Sequence, residues 1–335
     1  MATTLDRFAD RKPGWDTSVM IESHQNGVRT KAMNPNTPVT YEEVVEDAIR
    51  CWDAGASAIH VHNTNFDLRG KEAADDYMPA WSKILKARPD MIWYPTTCNN
   101  LLCTEDQTGL EHVAYLHKDA NVQVAVVDTG IDLFAVDLDQ KGHILGGEYG
   151  WNYKRVAGQV DFCQRNDIAM IWGVYEPGHL RLARHYVDRG MHTNGSMWDF
   201  YLVGKYGLTS SKPIGTCGME PTLESLYYYL DMIDQAKHKL PWCISIWGEG
   251  SLDTRPIIKR AIELGGHIKT GLELFFDPDR NPTNLDLLQE PRKFPGKSAG
   301  PWRLMRRQKN LQYKVGATFD RRGRRGCRAG EQSRA

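Results

Sequence analysis

Two histidines stand two residues apart at the end of an apolar run, in the stretch GASAIHVHNTN from Gly55 to Asn65. In a β-strand, residues two apart point to the same face, so His60 and His62 are expected to project side by side from the end of a strand. A single histidine in such a run is more often a core residue with a local hydrogen bond. A pair on one face indicates metal binding instead, because neutral imidazole is a common ligand of zinc and similar ions.

The elements that must position this pair alternate between strand and helix. Thr40 and Glu43 give the capping-box pattern of a helix start, and Gly55 gives its stop. Eight strands, alternating with helices, predict a (β/α)8 TIM barrel. A doubly wound open sheet is the alternative, but no G-x-G-x-x-G follows the first strand. The predicted strands are short apolar runs, typical of parallel strands buried on both faces, at residues 18–21, 58–62, 91–97, 122–128, 168–176, 200–204, 242–248 and 267–273.

The last predicted strand supplies a third candidate ligand. Period-two alternation over GGHIKTGLELFF places Lys269 and Glu273 on one face, with Glu273 at the carboxyl end of the strand. In a closed barrel, strand eight lies next to strand one and close to strand two. Glu273 could therefore meet His60 and His62 at the end of the barrel where active sites lie. Two histidines and a glutamate would make a three-ligand catalytic site with an open position.

Three motifs resemble the β-keto acid cleavage enzymes, in the family's order and over roughly residues 19–288: PVTYEEVVEDAIRCWDAGASAIHVHNTN, CGMEPTLESL and GGHIKTGLE. The resemblance implies a TIM barrel that assembles as a homo-oligomer, a dimer or a tetramer. It also implies a divalent metal, usually zinc, held by His60, His62 and Glu273. The implied substrate is a small keto acid, in a retro-Claisen-type reaction that converts a β-keto acid and acetyl-CoA into acetoacetate and a new acyl-CoA.

The chain departs from the family's pattern at several catalytic positions. Lys269 stands in place of an arginine, and Leu274 in place of the aspartate that follows the metal-binding glutamate. Val28 aligns with a family glutamate in the loop after strand one, although Glu22 lies nearby. Thr96 corresponds to a serine at the end of strand three, so a hydroxyl group is kept. The metal ligands are thus retained, whereas the acid–base residues differ.

Three residues are candidates for catalysis beside the metal. Thr96 could donate a hydrogen bond to an oxyanion, and Glu22 could act as a general base if burial raises its pKa. Lys269 could hold a substrate carboxylate as a point charge. The alternatives are a solvated loop carboxylate for Glu22 and a Schiff-base role for Lys269. Aromatic residues near the strand ends, together with Leu274, favour a bulkier or more apolar oxygen-chelating substrate.

The resulting hypothesis is a zinc-dependent enzyme that cleaves carbon–carbon bonds, with acetyl-CoA as a candidate co-substrate and another divalent metal as the alternative to zinc. Two other functions stay open. One is a metal-dependent aldolase, lyase or hydrolase that does not use coenzyme A. The other is a metal-binding pseudoenzyme.

Composition limits the partners and the compartment. The chain has 335 residues and a formal net charge of +0, which gives no general attraction to nucleic acid. No apolar stretch reaches the roughly 18–20 residues of a membrane span. The seven cysteines are scattered and form no C-x-x-C motif. These features predict a reduced, cytoplasmic protein without a disulfide framework.

The carboxyl-terminal segment differs from the rest of the chain in its charge. Residues 303–335 contain eleven Lys or Arg residues against two Asp or Glu residues. We expect a single TIM-barrel domain over residues 1–302 and a disordered basic tail over residues 303–335. Binding of an anionic partner such as RNA is the alternative role for the tail.

Overall fold

The computed structural model describes residues 4–9, 11, 19–98, 103–249 and 254–293. The barrel strands are β1 (Ile21–His24), β2 (Ala58–Val61), β3 (Trp93–Pro95), β4 (Val124–Asp128), β7 (Ala169–Val174), β8 (Met197–Val203), β9 (Trp242–Trp247) and β10 (His267–Thr270). The helices are α1 (Thr4–Ala9), α2 (Tyr41–Asp53), α3 (Gly70–Ala87), α4 (Glu111–Asp119), α5 (Tyr153–Asn166), α6 (Pro177–Val187), α7 (Leu223–Asp234), α8 (Arg255–Glu263) and α9 (Asn284–Gln289). Two further strands, β5 (Ile131–Leu138) and β6 (Ile144–Gly150), form a separate sheet.

The eight barrel strands are parallel and lie in the order β3-β2-β1-β10-β9-β8-β7-β4. Strand β10 pairs with β1, so the last strand closes onto the first, as the barrel prediction requires. The two ends of the sheet, β3 and β4, contact each other without a hydrogen-bonded ladder among the described residues. The predicted TIM barrel is confirmed, with this seam between β3 and β4 leaving it nearly closed.

Successive residues of each strand face opposite sides of the barrel wall, and the two sides differ in chemistry. Outward-facing side chains such as Ile59, Trp172 and Phe200 pack in a large apolar core under the helices. Inward-facing side chains at the amino ends of the strands form a smaller apolar layer that includes Ala58 and Ile171. Polar inward-facing residues follow at the carboxyl ends, which places them at the mouth of the barrel.

Helix α2 begins and ends as predicted, and this fixes the chain entering β2. The Thr40 side chain accepts from the backbone N–H of Glu43, and the Glu43 carboxylate accepts from the backbone N–H of Thr40. Gly55 follows the helix with a φ of +102°, a conformation that glycine adopts at little cost. The histidine pair therefore begins only a few residues after a well-defined helix end.

Two predicted strand positions were wrong, and both errors affect the site. The first strand covers Ile21–His24 rather than residues 18–21, so Glu22 and His24 are strand residues. The last strand ends at Thr270, and Glu273 lies in the turn that follows. Gly271 causes this break: its φ is +138°, and a Cβ there would lie 2.1 Å from the His24 carbonyl oxygen.

The hairpin of β5 and β6 was not predicted. The hairpin is inserted between β4 and α5. Its two strands are antiparallel: Ile131 pairs with Gly150 at one end and Leu138 with Ile144 at the other, with a bulge between Ala135 and Asp137. Its inner side chains reach the barrel mouth, whereas its outer face exposes Leu133 and Ile144. The hairpin thus adds a wall to the site that the barrel alone lacks.

None of the helices in the described ranges is both long and apolar enough to cross a membrane. The predicted basic tail lies outside the described residues, so the boundary at residue 303 stays a prediction.

Candidate metal centre

Three buried side chains converge at the mouth of the barrel: His24 at the end of β1, His60 on β2, and Glu273 in the turn after β10. One potential ligand atom of each lies within 4.8 Å of the others. Glu273 Oε2 is 3.2 Å from His24 Nδ1 and 3.4 Å from His60 Nε2. His62 lies 3.1 Å from the second oxygen, Oε1, through its Nε2 atom. The predicted residues His60, His62 and Glu273 are thus brought together, with His24 as an unpredicted fourth.

Tyr94 orients two of the three imidazoles. His60 Nδ1 is 3.2 Å from the Tyr94 carbonyl oxygen, which can only accept, so the proton of neutral His60 sits on Nδ1. The Tyr94 hydroxyl donates to Glu22 at 2.6 Å and is 3.3 Å from His24 Nε2, so neutral His24 carries its proton on Nε2. In both rings the unprotonated nitrogen faces Glu273. An orienting partner on the second ring nitrogen is a common feature of metal-binding histidines.

This arrangement fits a bound divalent cation. Burial lowers the pKa of His60 to about 4, so its ring is neutral near pH 7. Burial alone would raise the pKa of Glu273, but contacts with His60 and His62 outweigh it and hold that pKa well below its usual range. In these tautomers, the Glu273 carboxylate oxygen Oε2 faces the lone pairs of both imidazoles. Such a cluster of acceptors is stabilised by a shared cation, and two or three imidazoles with a carboxylate are typical zinc ligands.

A cavity of about 200 Å³ opens above the cluster. Thr96, one of the predicted catalytic residues, lines it beside His24, His60, His62 and Glu273. The rest of the wall is largely aromatic or apolar, and the described lining residues include no lysine or arginine. The lining comprises His24, Val28, His60, His62, Phe66, Thr96, Thr97, Val126, Asp128, Phe134, Glu148, Tyr149, Tyr175, Tyr201, Leu208, Thr209, Trp247 and Glu273.

The family model for beta-keto acid cleavage enzymes matches residues 18–294, which is most of the chain. The chain belongs to the β-keto acid cleavage enzyme family. The match spans all eight barrel strands and contains the four residues of the cluster. Members of this family cleave carbon–carbon bonds of β-keto acids.

Two known proteins place this family member among its relatives. The 3-keto-5-aminohexanoate cleavage enzyme of Acetoanaerobium sticklandii is 24% identical over 244 residues, covering 73% of this chain and 78% of that protein. The apo structure of ObcA has a TM-score of 0.51 at 18% identity, covering 72% of this chain and 56% of ObcA. The chain therefore spans little more than half the length of ObcA, and the likeness concerns the barrel fold.

The other two predicted catalytic residues of this family member, Glu22 and Lys269, lie one layer below the cavity and do not line it. The Lys269 ammonium is completely enclosed, 2.8 Å from Asp199 Oδ2 and 3.5 Å from Glu22 Oε2. It also donates to the Tyr94 hydroxyl at 3.0 Å. Ser245 donates to the other oxygen of Asp199 at 2.7 Å. We refer to Glu22, Lys269, Asp199 and Tyr94 as the buried charge layer.

Electrostatics within the buried charge layer differ from the sequence-based expectation. Burial by itself would raise the pKa of Glu22, but the Lys269 ammonium and the Tyr94 hydroxyl outweigh it, so the pKa is lowered. Burial by itself would lower the pKa of Lys269, yet Asp199 and Glu22 raise it well above its usual value. Both groups are therefore charged in an ion-pair network that supports Tyr94, and Tyr94 in turn orients His24 and His60.

His24 is the residue of the candidate metal centre that sequence reasoning missed. The signal was present, because Glu22 and His24 are two apart in IESH and share a strand face, as His60 and His62 do. Placing the first strand at residues 18–21 left both in a loop, where no common face is expected.

A hydrogen-bonded chain crosses the opposite wall of the cavity. The Tyr149 hydroxyl, from β6, donates to Asp128 Oδ2 at 2.5 Å, and the Thr97 hydroxyl lies 2.9 Å from the Tyr149 hydroxyl. Asp128 Oδ1 is buried without a hydrogen-bond partner in the described part of the protein. Burial raises the pKa of Asp128 to about 6. This wall therefore carries a buried carboxyl group that is largely ionised above neutral pH.

Gly173 makes room for this carboxyl group, and we expect the substitution Gly173→Ala to damage the wall. A Cβ at this position would lie 2.2 Å from Asp128 Oδ1 and 2.9 Å from a ring carbon of Tyr201. Overpacking of this kind typically costs about 1–3 kcal/mol. Urea denaturation should show a loss in that range, whereas Gly178→Ala, where an added Cβ meets nothing within 4 Å, is the control. Equal stability of the two variants would contradict the crowding.

Proposed function

We propose that this chain is a divalent-metal enzyme, with zinc as its metal, that cleaves a carbon–carbon bond of a β-keto acid in a retro-Claisen-type reaction with acetyl-CoA. The supporting observation is the cluster of His24, His60 and Glu273, with His62 on the second carboxylate oxygen, at the mouth of a barrel of this family. Buried acceptors facing one another at hydrogen-bond distance are stabilised by a proton or a metal cation shared between them.

His60 and Glu273 are the central ligands in this proposal, and His24 and His62 complete the set. The metal would supply Lewis-acid polarisation of the substrate's carbonyl oxygen. Tyr94 keeps the lone pairs of His24 and His60 directed at the site through its hydroxyl and its carbonyl oxygen. Such supporting contacts commonly change metal affinity by about 10–100-fold.

Thr96 is proposed to donate its hydroxyl to a substrate oxygen as negative charge develops there. It lines the cavity beside the metal centre and is partly exposed. Its backbone is fixed on both sides, because its N–H donates to Val61 and its carbonyl accepts from His112. A fixed donor of this kind needs little rearrangement during the reaction.

Glu22 and Lys269 act, in this proposal, through the residues they hold rather than by touching substrate. Both lie in the buried charge layer, where they fix the Tyr94 hydroxyl. An enclosed ammonium with two carboxylate partners is also poorly suited to a Schiff base, since that chemistry requires a neutral amine.

The substrate is proposed to be bulkier than a small amino-keto acid. The lining of the cavity beyond the metal centre is dominated by rings, including Phe134, Tyr175, Tyr201 and Trp247. These side chains exclude water and offer broad contact surface to a large substituent.

Compartment and assembly are further parts of the proposal. We propose a reduced, cytoplasmic protein, supported by six free cysteines among the described residues. We also propose a homo-oligomer, a dimer or a tetramer, supported by the exposed apolar outer face of the hairpin, where Leu133 is 70% exposed. Static light scattering of the purified protein measures the oligomer directly.

Product analysis of a panel of β-keto acids, with and without acetyl-CoA, tests the reaction. Formation of acetoacetate and a new acyl-CoA only when acetyl-CoA is present supports the proposal. Cleavage without acetyl-CoA would instead show an aldolase, a lyase or a hydrolase. Metal binding without any turnover would show a pseudoenzyme.

We predict weak turnover of 3-keto-5-aminohexanoate with acetyl-CoA. Leu274 cannot take up a proton, and Lys269 is enclosed in ion pairs, whereas positioned acid–base groups typically contribute about 10²–10⁴-fold in rate. Steady-state kinetics on the metal-loaded protein measure this directly. A kcat/KM in the ordinary enzyme range of roughly 10⁴ M⁻¹s⁻¹ or more would contradict the prediction of weak turnover.

Thr96→Ala is predicted to lower kcat by about tenfold through loss of one hydrogen bond, with metal content unchanged. Thr96→Ser should retain most of the activity because it keeps the hydroxyl. Kinetics of both variants on the best substrate from the panel provide the comparison. If the serine variant is as slow as the alanine variant, the methyl group rather than the hydroxyl matters.

A further inference from the structure

Three side chains that can bind a cation lie at the base of the β5–β6 hairpin, outside the cavity. Asp132 is the second residue of β5, His179 lies in the first turn of α6, and Glu176 is the residue just before that helix. Asp132 is 4% exposed and His179 is 8% exposed. The three are not among the residues that line the cavity above the candidate metal centre. We call them the hairpin-base cluster.

Polar atoms in the hairpin-base cluster lack hydrogen-bond partners. Asp132 Oδ1 and His179 Nδ1 are both buried without a partner in the described part of the protein. The other carboxylate oxygen, Asp132 Oδ2, lies 3.8 Å from His179 Nδ1, which is too long for a hydrogen bond. A buried carboxylate is costly without hydrogen-bond donors or a counter-ion. Asp132 must therefore either keep its proton or receive a cation.

The charges of the neighbouring groups do not supply that cation. Burial, together with the negative charge of Glu176, raises the pKa of Asp132 to about 8. Burial lowers the pKa of His179 to about 4, so its ring is neutral near pH 7 and offers a nitrogen lone pair. Glu176 is anchored through Oε1, which accepts from the backbone N–H of Gly218 at 2.9 Å. The cluster thus combines two carboxyl groups with a neutral imidazole.

We propose that the hairpin-base cluster binds a second divalent cation of the zinc class, with Asp132 and His179 as its ligands and Glu176 as the neighbouring carboxylate. Zinc binds nitrogen and oxygen ligands at about 2.0–2.2 Å, so two ligand atoms of one ion can lie up to roughly 4 Å apart. The 3.8 Å between Asp132 Oδ2 and His179 Nδ1 falls within that span. The inference does not rest on the proposed function, because this cluster shares no residue with the candidate metal centre.

A cation at this position would join the hairpin to the barrel. Asp132 belongs to the hairpin, whereas His179 and Glu176 belong to the start of α6. Gly130 permits their close approach, since an added Cβ there would lie 2.0 Å from His179 Nε2. Tyr149 on the same hairpin and Tyr175 directly before Glu176 both line the cavity. The cation would therefore hold two parts of the cavity wall together from behind.

Equilibrium dialysis of the full chain against Zn²⁺ at pH 8, followed by elemental analysis, tests the inference. We expect about two equivalents per chain in the wild type. Asp132→Asn and His179→Gln should each lose one of them. The matched control is His185→Ala, which removes an exposed histidine of the same helix and should keep both. Equal zinc content in the wild type and Asp132→Asn would overturn the inference.

Folding of the variants is checked by circular dichroism and urea denaturation without metal. Asp132→Asn should be at least as stable as the metal-free wild type, because it removes a buried carboxyl group that has no hydrogen-bond donor. Added Zn²⁺ should stabilise the wild type more than Asp132→Asn, since only the wild type binds the second ion. Equal stabilisation of the two proteins would contradict the site. If His179→Gln does not fold, Asp132→Asn still decides the matter.

The variant His60→Ala separates this site from the proposed function. It should lose the zinc of the candidate metal centre and keep the zinc of the hairpin-base cluster. Loss of all zinc in His60→Ala would overturn the inference and leave the candidate metal centre intact. Zinc that is retained in His60→Ala and lost in Asp132→Asn supports the inference. If the wild type holds only that ion, the result counts against the candidate metal centre alone.

Hydrogen exchange shows whether the cation holds the hairpin. Zn²⁺ should slow amide exchange in β5 in the wild type and in His60→Ala, but not in Asp132→Asn, because a bound ion opposes local opening. Unchanged exchange in β5 of zinc-loaded His60→Ala would contradict a cation between the hairpin and α6.

Discussion

His60→Ala is expected to remove the bound metal and to lower kcat/KM by more than about 10³-fold. The His60 ring nitrogen Nε2 lies 3.4 Å from Glu273 Oε2, the carboxylate oxygen that His24 also approaches, at 3.2 Å. Loss of a Lewis acid removes several kcal/mol of stabilisation, at tenfold in rate for each 1.4 kcal/mol. Elemental analysis of the purified variant and steady-state kinetics measure the two effects.

Three further variants sharpen this result. His143→Ala is the matched control, since His143 is exposed in the turn of the hairpin and its ring contacts Asp139, far from the candidate metal ligands in the sequence. His24→Ala and His62→Ala should each weaken metal affinity by about 10–100-fold. A larger loss for one of them identifies the third principal ligand. Full metal content in His60→Ala would contradict the assignment of His60 as a metal ligand.

Lys269→Met is expected to destabilise the fold by about 3–5 kcal/mol, because it leaves Asp199 and Glu22 as uncompensated buried charges. Urea denaturation followed by circular dichroism measures the free energy of unfolding. The matched control is Lys259→Met: the Lys259 side chain is 48% exposed, and its ammonium lies 3.7 Å from Glu263. Surface ion pairs of that kind contribute only about 0–1 kcal/mol.

The double variant Lys269→Met with Asp199→Asn should recover part of the lost stability, because it removes one of the two buried carboxylates that have lost their ion-pair partner. A loss below about 1 kcal/mol in Lys269→Met would contradict the network, since stranding a buried charge typically costs more than that. It would also reopen the possibility that Lys269 meets the substrate.

Local patterns predicted the barrel well, because parallel strands buried on both faces are short apolar runs wherever they occur. The shared orientation of His60 and His62 could also be predicted, because residues two apart in one strand face the same side whatever the fold. Glu273 was placed at the right end of the barrel, although on a strand rather than in a turn. The left-handed Gly271 ends that strand, and a glycine in a sequence does not reveal the sign of its φ.

Features that depend on several strands at once could not be predicted. From the sequence, Lys269 was predicted to bind a substrate carboxylate. The residues around it in the sequence do not show that Asp199 on β8 and Glu22 on β1 flank it in the barrel. The hairpin strand IDLFAVDL exposes Ile131, Leu133 and Val136, whereas Phe134 lines the cavity, so its apolar residues do not mark a single core-facing side. The aromatic wall of the cavity likewise combines rings from β6, β8 and β9 with Tyr175, which follows β7.

The seam between β3 and β4 gives the Tyr149 hydroxyl a second role. Thr97 follows β3 and Asp128 ends β4. The hydrogen bonds from Thr97 through Tyr149 to Asp128 therefore bridge two strands that share no ladder among the residues that the structure describes. Regions with few backbone hydrogen bonds open first in native-state hydrogen exchange. The amides beside this bridge should thus be the fastest-exchanging part of the barrel wall, and Tyr149→Phe should speed them further. Opening of the barrel wall at this seam then depends on the Tyr149 hydroxyl group.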